Sequence, residues 1–436
     1  MGGPDGQIAG RTGPSTPAFD GLLVSWRPGS TARERDDERT ALGMTLREDI
    51  QTKAMRPDKD GALEWLDLPK GISADAAIAA LKQQAGVAYA EKNWLIQPQA
   101  TSNDPYYTNG SLWGMYGDLT TTVNPYGSQA GEAWANNQTG SSSVYVGLID
   151  EGYQYTHPDL SANAGTNTGE IAGNGIDDDR NGLIDDVNGW DFVSGDNSVY
   201  DGLLDDHGTH VAGTIGAVGG NGIGVAGVNW NVKLLGAKFL GSAGGTIVDA
   251  VKAVDYFTGL KLAGIPIVAT NNSWGGGGFS QALADAIQRA SDADILFVAA
   301  AGNNATNNDV IANYPSNYTS PNVIAVAAID SAGAMATFSS YGATTVDLGA
   351  PGVGIWSTVP ANSYASYSGT SMATPAVTGT AALLKSLYTT ATGLQIKQAL
   401  IEGTTATPSL TGKTVSGGRL DIPLAINRLG QIIGTP

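Results

Sequence analysis

Five short apolar runs constrain this chain more than any other feature. They are Val144-Tyr145-Val146-Gly147-Leu148-Ile149, Val232-Lys233-Leu234-Leu235-Gly236-Ala237, Ile265-Pro266-Ile267-Val268-Ala269-Thr270, Ile295-Leu296-Phe297-Val298-Ala299 and Val323-Ile324-Ala325-Val326-Ala327. Each has strand length, and stretches of helical character separate them. A strand that is apolar on both faces must be covered on both faces. A parallel sheet does this, because its crossovers lay helices on each side. The expected fold class is therefore α/β over residues 105–436. In such sheets, chemistry gathers at the carboxyl ends of the strands. Three chemically able groups stand at element ends. Asp150 directly follows the first run, His207 opens His207-Gly208-Thr209-His210-Val211-Ala212-Gly213, and Ser371 lies between a Gly-containing turn and the helix-like run Ala376 to Leu384.

Composition removes several function classes. The formal charge is -18, which excludes a nucleic-acid partner, since phosphate binding needs basic surface. There is no cysteine, so disulfides, thiolate catalysis and cysteine zinc sites are excluded. The three histidines are His157, His207 and His210. His207 and His210 would share a helix face, but no third metal ligand is near in sequence, so His210 and His157 read as structural. No apolar run approaches the ~18–20 residues of a membrane helix. Residues 1–18 are rich in Gly, Pro and Ser and read as a flexible tail. Met1 to Pro17 lacks the basic start and apolar stretch of a secretory signal. The expectation is a secreted protein whose signal has been removed and replaced by a start Met.

A lone Ser hydroxyl is a poor nucleophile. It needs an imidazole base, and a carboxylate that fixes the imidazole tautomer. Asp150, His207 and Ser371 supply those three types in the order Asp, His, Ser, which is one of several orders that serve this geometry.

The local motifs are more specific than the order. Val146-Gly147-Leu148-Ile149-Asp150-Glu151-Gly152, continuing to His157-Pro158-Asp159-Leu160, resembles the aspartate motif of subtilases. The segment from His207 to Gly213 resembles their histidine motif, and Gly369-Thr370-Ser371-Met372-Ala373-Thr374-Pro375 their serine motif. Ala299-Ala300-Ala301-Gly302-Asn303 resembles their oxyanion segment. Over about residues 103–430 the chain thus resembles the subtilase (subtilisin-like serine peptidase) family, most closely its thermitase-like branch. The resemblance implies a subtilisin-like parallel sheet flanked by helices on both faces. It also implies catalytic roles: Ser371 as nucleophile, His207 as general base and then acid, Asp150 as orienting carboxylate, and Asn303 as oxyanion donor. Ser273-Trp274-Gly275-Gly276 resembles the segment that pairs with an extended peptide. With Ala300, Ala301, Gly302 and Asn313 it would bind the residue before the scissile bond, with a broad, mostly apolar preference. Two departures from the pattern stand out: Glu151 replaces a small residue, and Ala376 and Thr378 replace the common His and Ala.

The resemblance also points to structural calcium. Asp104, Asp159 and Asn221, with the carbonyls of Val218, Ile223 and Val225, match a family site. Oxygen-only ligation suits that ion. A second candidate is Asp177-Asp178-Asp179-Arg180-Asn181-Gly182-Leu183-Ile184-Asp185-Asp186. Asp177, Asp179 and Asn181, followed by Gly182, start like an EF-hand loop, with Asp186 further on and no final Glu. Asp191 and Asp196 resemble part of another site, with Ser194 where an acid is expected.

Residues 19–97 form a smaller α+β pattern. Strands are expected at 22–26, 62–68 and 87–91, and helices at 36–44 and after Ser73, which can cap. This unit resembles the subtilase propeptide, a folding aid and intramolecular inhibitor. Residues 98–104 read as a linker cleaved near Ala100-Thr101. The expected protein is a monomeric, calcium-dependent endopeptidase acting on polypeptides. A specialised processing protease or peptide ligase, and a non-enzymatic calcium-dependent binding protein on the same scaffold, are the alternatives.

Overall fold

The structure is a computed structural model that describes residues 19–50, 52–53, 55–56, 61–69, 71–94 and 101–434. The expected tail, and residues 98–100 of the expected linker, lie outside the described residues. The chain divides into two compact units, 1–97 and 98–436.

In the first unit, strands β1 (Phe19–Trp26), β2 (Thr45–Ile50), β3 (Leu63–Asp67) and β4 (Val87–Trp94) form an antiparallel sheet in the order β2-β3-β1-β4. Helices α1 (Ala32–Ala41) and α2 (Ala74–Leu81) accompany it. Leu22, Val24, Trp26, Leu66, Ala77 and Leu81 build its core. The Ser73 hydroxyl accepts the Ala76 N–H, as expected of a cap. Helix α1 starts four residues earlier than 36–44, because Thr31 and Glu34 close a reciprocal capping box. Strand β2 was not expected. It is an edge strand with almost every residue exposed, so it carries no apolar alternation. Inside the unit, the buried Glu64 carboxylate accepts from Trp26 Nε1, Arg35 and Arg39.

In the second unit, β5 (Gly140–Asp150), β6 (Gly189–Asp191), β7 (Asn231–Lys238), β8 (Ile267–Asn272), β9 (Leu296–Ala300), β10 (Val323–Ile329), β11 (Leu348–Pro351), β14 (Thr405–Ala406) and β15 (Gly418–Arg419) make one sheet. Its order among the described residues is β14-β15-β11-β10-β9-β8-β5-β7-β6. All its pairs are parallel except β14 with β15. A hairpin of β12 (Ile355–Val359) and β13 (Ser363–Tyr367) lies outside it.

Alternation explains why the strands are apolar throughout. Leu148, Leu234, Leu296 and Val298 enter one core with helices α3 (Asp206–Gly216), α6 (Thr370–Leu387), α7 (Gly393–Glu402) and α8 (Ile422–Ile433). Their neighbours Ile149, Leu235, Phe297 and Ala299 enter the opposite core with α4 (Ile247–Leu262) and α5 (Gln281–Asp292). The third run is displaced: β8 begins at Ile267, because Pro266 has no N–H for the ladder and offers only its carbonyl, to the Tyr145 N–H.

Strand order reverses its direction of growth at β5, with β7 and β6 on one side and β8 to β11 on the other. This is the switch point at which a crevice opens beyond the carboxyl ends. Close packing of α4 against β5 depends on Gly147, where a Cβ would lie 2.7 Å from the Phe257 ring. Gly147→Ala is expected to lower stability by about 1–3 kcal/mol through overpacking. Phe257→Leu should return part of that loss, so urea unfolding of the single and double variants should be non-additive. Strict additivity would contradict this packing account.

Candidate active site

Asp150 is the last residue of β5, and its side chain is buried. The chain then turns at Gly152 (φ +99°). Helix α3 comes back against this turn so closely that a Cβ on Gly208 would lie 2.0 Å from the Gly152 carbonyl oxygen. His207, one residue before that contact, sits in the first turn of α3 and donates from Nδ1 to Asp150 Oδ1 at 2.8 Å. The carboxylate thereby fixes the tautomer that leaves Nε2 able to take a proton. Burial alone would lower the imidazole pKa. The charges of Asp150, Glu151 and Asp206 overcome that and raise it to about 9.

Ser371 lies within the first turn of α6, not ahead of the helix as its sequence position suggested. Pro375 is the reason that the turn is chemically open. It has no N–H to donate to the Ser371 carbonyl four residues back. The Ser273 hydroxyl donates to that carbonyl instead, at 2.8 Å, and Ser371 Oγ donates to the Ser273 carbonyl at 3.1 Å. Behind them, Asn271 Nδ2 donates to Ser273 Oγ at 2.9 Å, and Thr378 Oγ1 donates to Asn271 Oδ1 at 2.9 Å. The departure at Thr378 thus serves a buried chain of donors that orients Ser273.

Asn303 follows β9 across Gly302, whose φ of +108° favours glycine. Asn303 Oδ1 accepts both the N–H and the hydroxyl of Thr370, at 2.9 Å each. That fixes the amide plane and leaves Nδ2 as the free donor end. Ser273, Trp274, Gly275, Ala300, Gly302, Asn303, Asn313 and Ser371 line one cavity of about 260 Å³, together with Gly276, Asn304 and Thr370. Ala301 does not line it. Its side chain packs with Ala325, Ala327 and Val346, because alternation beyond β9 turns it away from Ala300's face.

Residues 141–418 match the sequence model of the Subtilase family. The chain belongs to the subtilase family. It is 36% identical over 366 residues to a thermophilic serine proteinase of Bacillus sp. (strain AK1), covering 84% of this chain and 79% of that protein. It is 34% identical over 417 residues to an extracellular protease of Xanthomonas campestris pv. campestris, covering 88% and 68%. A solved protease structure from Pseudoalteromonas arctica matches with a TM-score of 0.59 at 31% identity, covering 76% of this chain and 99% of that one. This chain is accordingly a subtilisin-like serine endopeptidase.

The other two histidines of this subtilase make no metal set. His210 Nε2 meets the Ile355 carbonyl at 2.8 Å, and its ring stacks on Tyr367. Burial lowers its pKa to about 4. His157 meets the Ser363 carbonyl and the Asp159 N–H.

Two acidic loops fit a hard cation by donor type. In the first, Asp104 and Asp159 are both fully buried. Asp104 accepts the N–H groups of Gly220, Asn221 and Gly222. Asp159 accepts from Asn221 Nδ2 and the Val225 N–H, and its main-chain carbonyl from the Val218 N–H. The Ile223 N–H turns to Asn221 Oδ1. Burial, with Asp104 nearby, pushes the Asp159 carboxyl up to about 6. Two buried acids held only by neutral donors leave room for positive charge.

In the second loop, carboxylate oxygens of Glu170, Asp177 and Asp179 lie within 4.8 Å of one another. Asp186 is buried beside them. It accepts from Asn167 and Asn181, whose Nδ2 also reaches Asp179. Glu170 went unnoticed in the sequence because the loop template looks for its closing Glu after Asp177, and this one comes before it. Also unnoticed was Lys238 at the end of β7, buried and bonded to Asp201 and to Asp205, which precedes α3. Asp191 turns to the Val193 and Ser194 amides and Asp196 to Ser198.

The contact at Gly208 sets the distance between Asp150 and His207. Gly208→Ala is expected to reduce kcat/KM on a peptide substrate about 100-fold by shifting α3, with far less effect on KM. Unchanged turnover would show that the contact is slack.

Proposed function

We propose that this subtilase is a secreted, calcium-stabilised endopeptidase, made as a zymogen, that cleaves polypeptides through Asp150, His207 and Ser371. The observation that carries the reading is the 2.8 Å bond from His207 Nδ1 to Asp150 Oδ1, joined to a serine in a helix start that lines the same cavity as Asn303. Once Ser371 Oγ leaves the Ser273 carbonyl, His207 Nε2 would take its proton as Oγ bonds to the scissile carbonyl carbon. The carbonyl oxygen becomes an oxyanion, which Asn303 Nδ2 and the Ser371 N–H are suited to receive. Collapse breaks the C–N bond, and the protonated His207 hands the proton to the leaving amine. Water then releases the acyl group by the same steps.

Glycine and alanine walls at Gly275, Gly276, Ala300 and Gly302 support a broad, mostly apolar preference in the cavity. The segment 273–276 supports pairing with an extended peptide backbone. Secretion is supported by the likeness to the extracellular protease of Xanthomonas campestris pv. campestris. The first unit has its own sheet and core and lies outside the residues that match the family, which supports its reading as a removable propeptide and inhibitor. Asp104, Asp159, Asn221, Val218, Ile223 and Val225 would hold one calcium ion. Asp177 and Asp179, with Glu170, and with Asn181 and Asp186 adjoining, would hold another. The ion would supply charge neutralisation in the folded state only, and so stability.

Mass spectrometry of the wild type beside Ser371→Ala tests catalysis and processing together. The wild type is expected to lose its first unit near Ala100-Thr101 and to be labelled by phenylmethylsulfonyl fluoride, while Ser371→Ala stays full length and unlabelled. A wild type that stays full length although Ser371 labels would overturn the propeptide reading. Asn303→Ala should lower kcat about 100- to 1,000-fold with little change in KM. For calcium, a site held at 100 times its Kd adds about 2.7 kcal/mol. EDTA should therefore lower the Tm and speed self-cleavage, and an unchanged Tm would sink the calcium reading.

A further inference from the structure

We propose that Glu151 is a positioning residue for His207: its carboxylate caps the helix that carries the imidazole and holds a second negative charge beside it. The proposal rests on the reading of His207 as the base.

The first turn of a helix leaves backbone N–H groups without partners, and the residue before it normally supplies a cap. Here that residue, Asp205, makes no side-chain cap. Its carboxylate is taken by Lys238 Nζ at 2.7 Å and the Asp201 N–H at 2.5 Å. The His207 N–H instead donates to Glu151 Oε1 at 2.5 Å. A carboxylate at a helix N-terminus is favourable, and this one comes from the end of a different element. Asp150 Oδ1 accepts the Glu151 N–H as well as His207 Nδ1, at 2.8 Å each. Two consecutive residues at the end of β5 therefore grip His207, one by its ring and one by its main chain.

The charged and titratable groups around this grip come from four elements. The end of β5 contributes Asp150 and Glu151. Helix α3 contributes Asp206 and His210, and His210 is kept neutral by burial. From β13, Tyr367 donates to Asp206 Oδ2 at 2.7 Å. From β7, Lys238 is occupied by Asp201 and Asp205. Burial, then the charge of Asp150, brings the Glu151 carboxyl to about 7, below the imidazole at about 9. Glu151 is thus ionised throughout the range in which His207 loses its proton. Its charge holds that proton on, and it stabilises the imidazolium formed in the transition state.

The test is NMR titration of isotope-labelled histidine in the full chain carrying Ser371→Ala, with and without Glu151→Gln. Gln keeps an acceptor oxygen and removes the charge, so the His207 midpoint should fall by about one pH unit. With Ser371 intact, the rise of kcat/KM with pH should move to lower pH by the same amount. Glu151→Asp keeps the charge and shortens the reach. It should retain most of the raised midpoint while the His207 amide exchanges faster. A midpoint that is the same in Gln as in Glu would overturn the proposal, as would one that falls equally in Asp and Gln. A wild type inactive at every pH would sink the peptidase reading, whereas the titration still decides the role of Glu151. An active enzyme with an unmoved midpoint would sink Glu151 alone.

Discussion

Burial of both faces of one parallel sheet is the constraint on which the rest of this structure depends. Leu148 and Ile149 are adjacent in β5 yet belong to cores on opposite sides. Any strand so placed needs helical crossovers, and every parallel strand then ends at the same edge. Asp150 is the next residue after that alternating pair. It is held at the crevice because the strand cannot slip one residue without exchanging its two cores. The position of the carboxylate is thus a consequence of core packing rather than of anything local to the site.

Close backbone approach carries this constraint from the sheet to the helices. Gly208 lets α3 touch the turn at Gly152, and Gly147 lets α4 lie on β5. At α6 the device is a missing donor: Pro375 frees the Ser371 carbonyl, and Ser273 claims it. The contacts at Gly208 and Ser371 couple a motif residue to the end of a strand, and the one at Gly147 seats α4 on β5. The motifs are rich in Gly, Ser, Thr and Pro for this steric and hydrogen-bonding reason.

Much of this was legible in the sequence. The apolar runs announced a doubly covered sheet, and the motifs pointed to Asp150, His207, Ser371 and Asn303. What escaped depends on exposed backbone, on contacts distant in sequence, or on a template or motif that misplaces a residue. Strand β2 escaped because an exposed edge strand has no pattern to read. Glu170 escaped because it joins Asp177 and Asp179 from the preceding side of the loop. Lys238 escaped because its partners, Asp201 and Asp205, are more than thirty positions away. Ala301 was assigned to the cavity by its motif, and the strand's alternation sends it to the other side.

The electrostatics around His207 set two requirements against each other. A general base must give up its proton near the working pH, while the transition state gains from every negative charge beside the imidazolium. One carboxylate at the ring satisfies both. Asp206 and Glu151 add charge at the same helix start, and the balance moves toward the imidazolium. With the imidazole raised in this way, it is neutral at rest only toward alkaline pH, and there the extra carboxylates act mainly on the transition state. Burial works against this on Glu151: it makes the carboxylate costly to ionise, and the His207 N–H and the imidazolium charge offset that cost. The cap and the charge reside in one carboxylate but are separable, since a neutral acceptor at 151 would retain the geometry without the electrostatic bias.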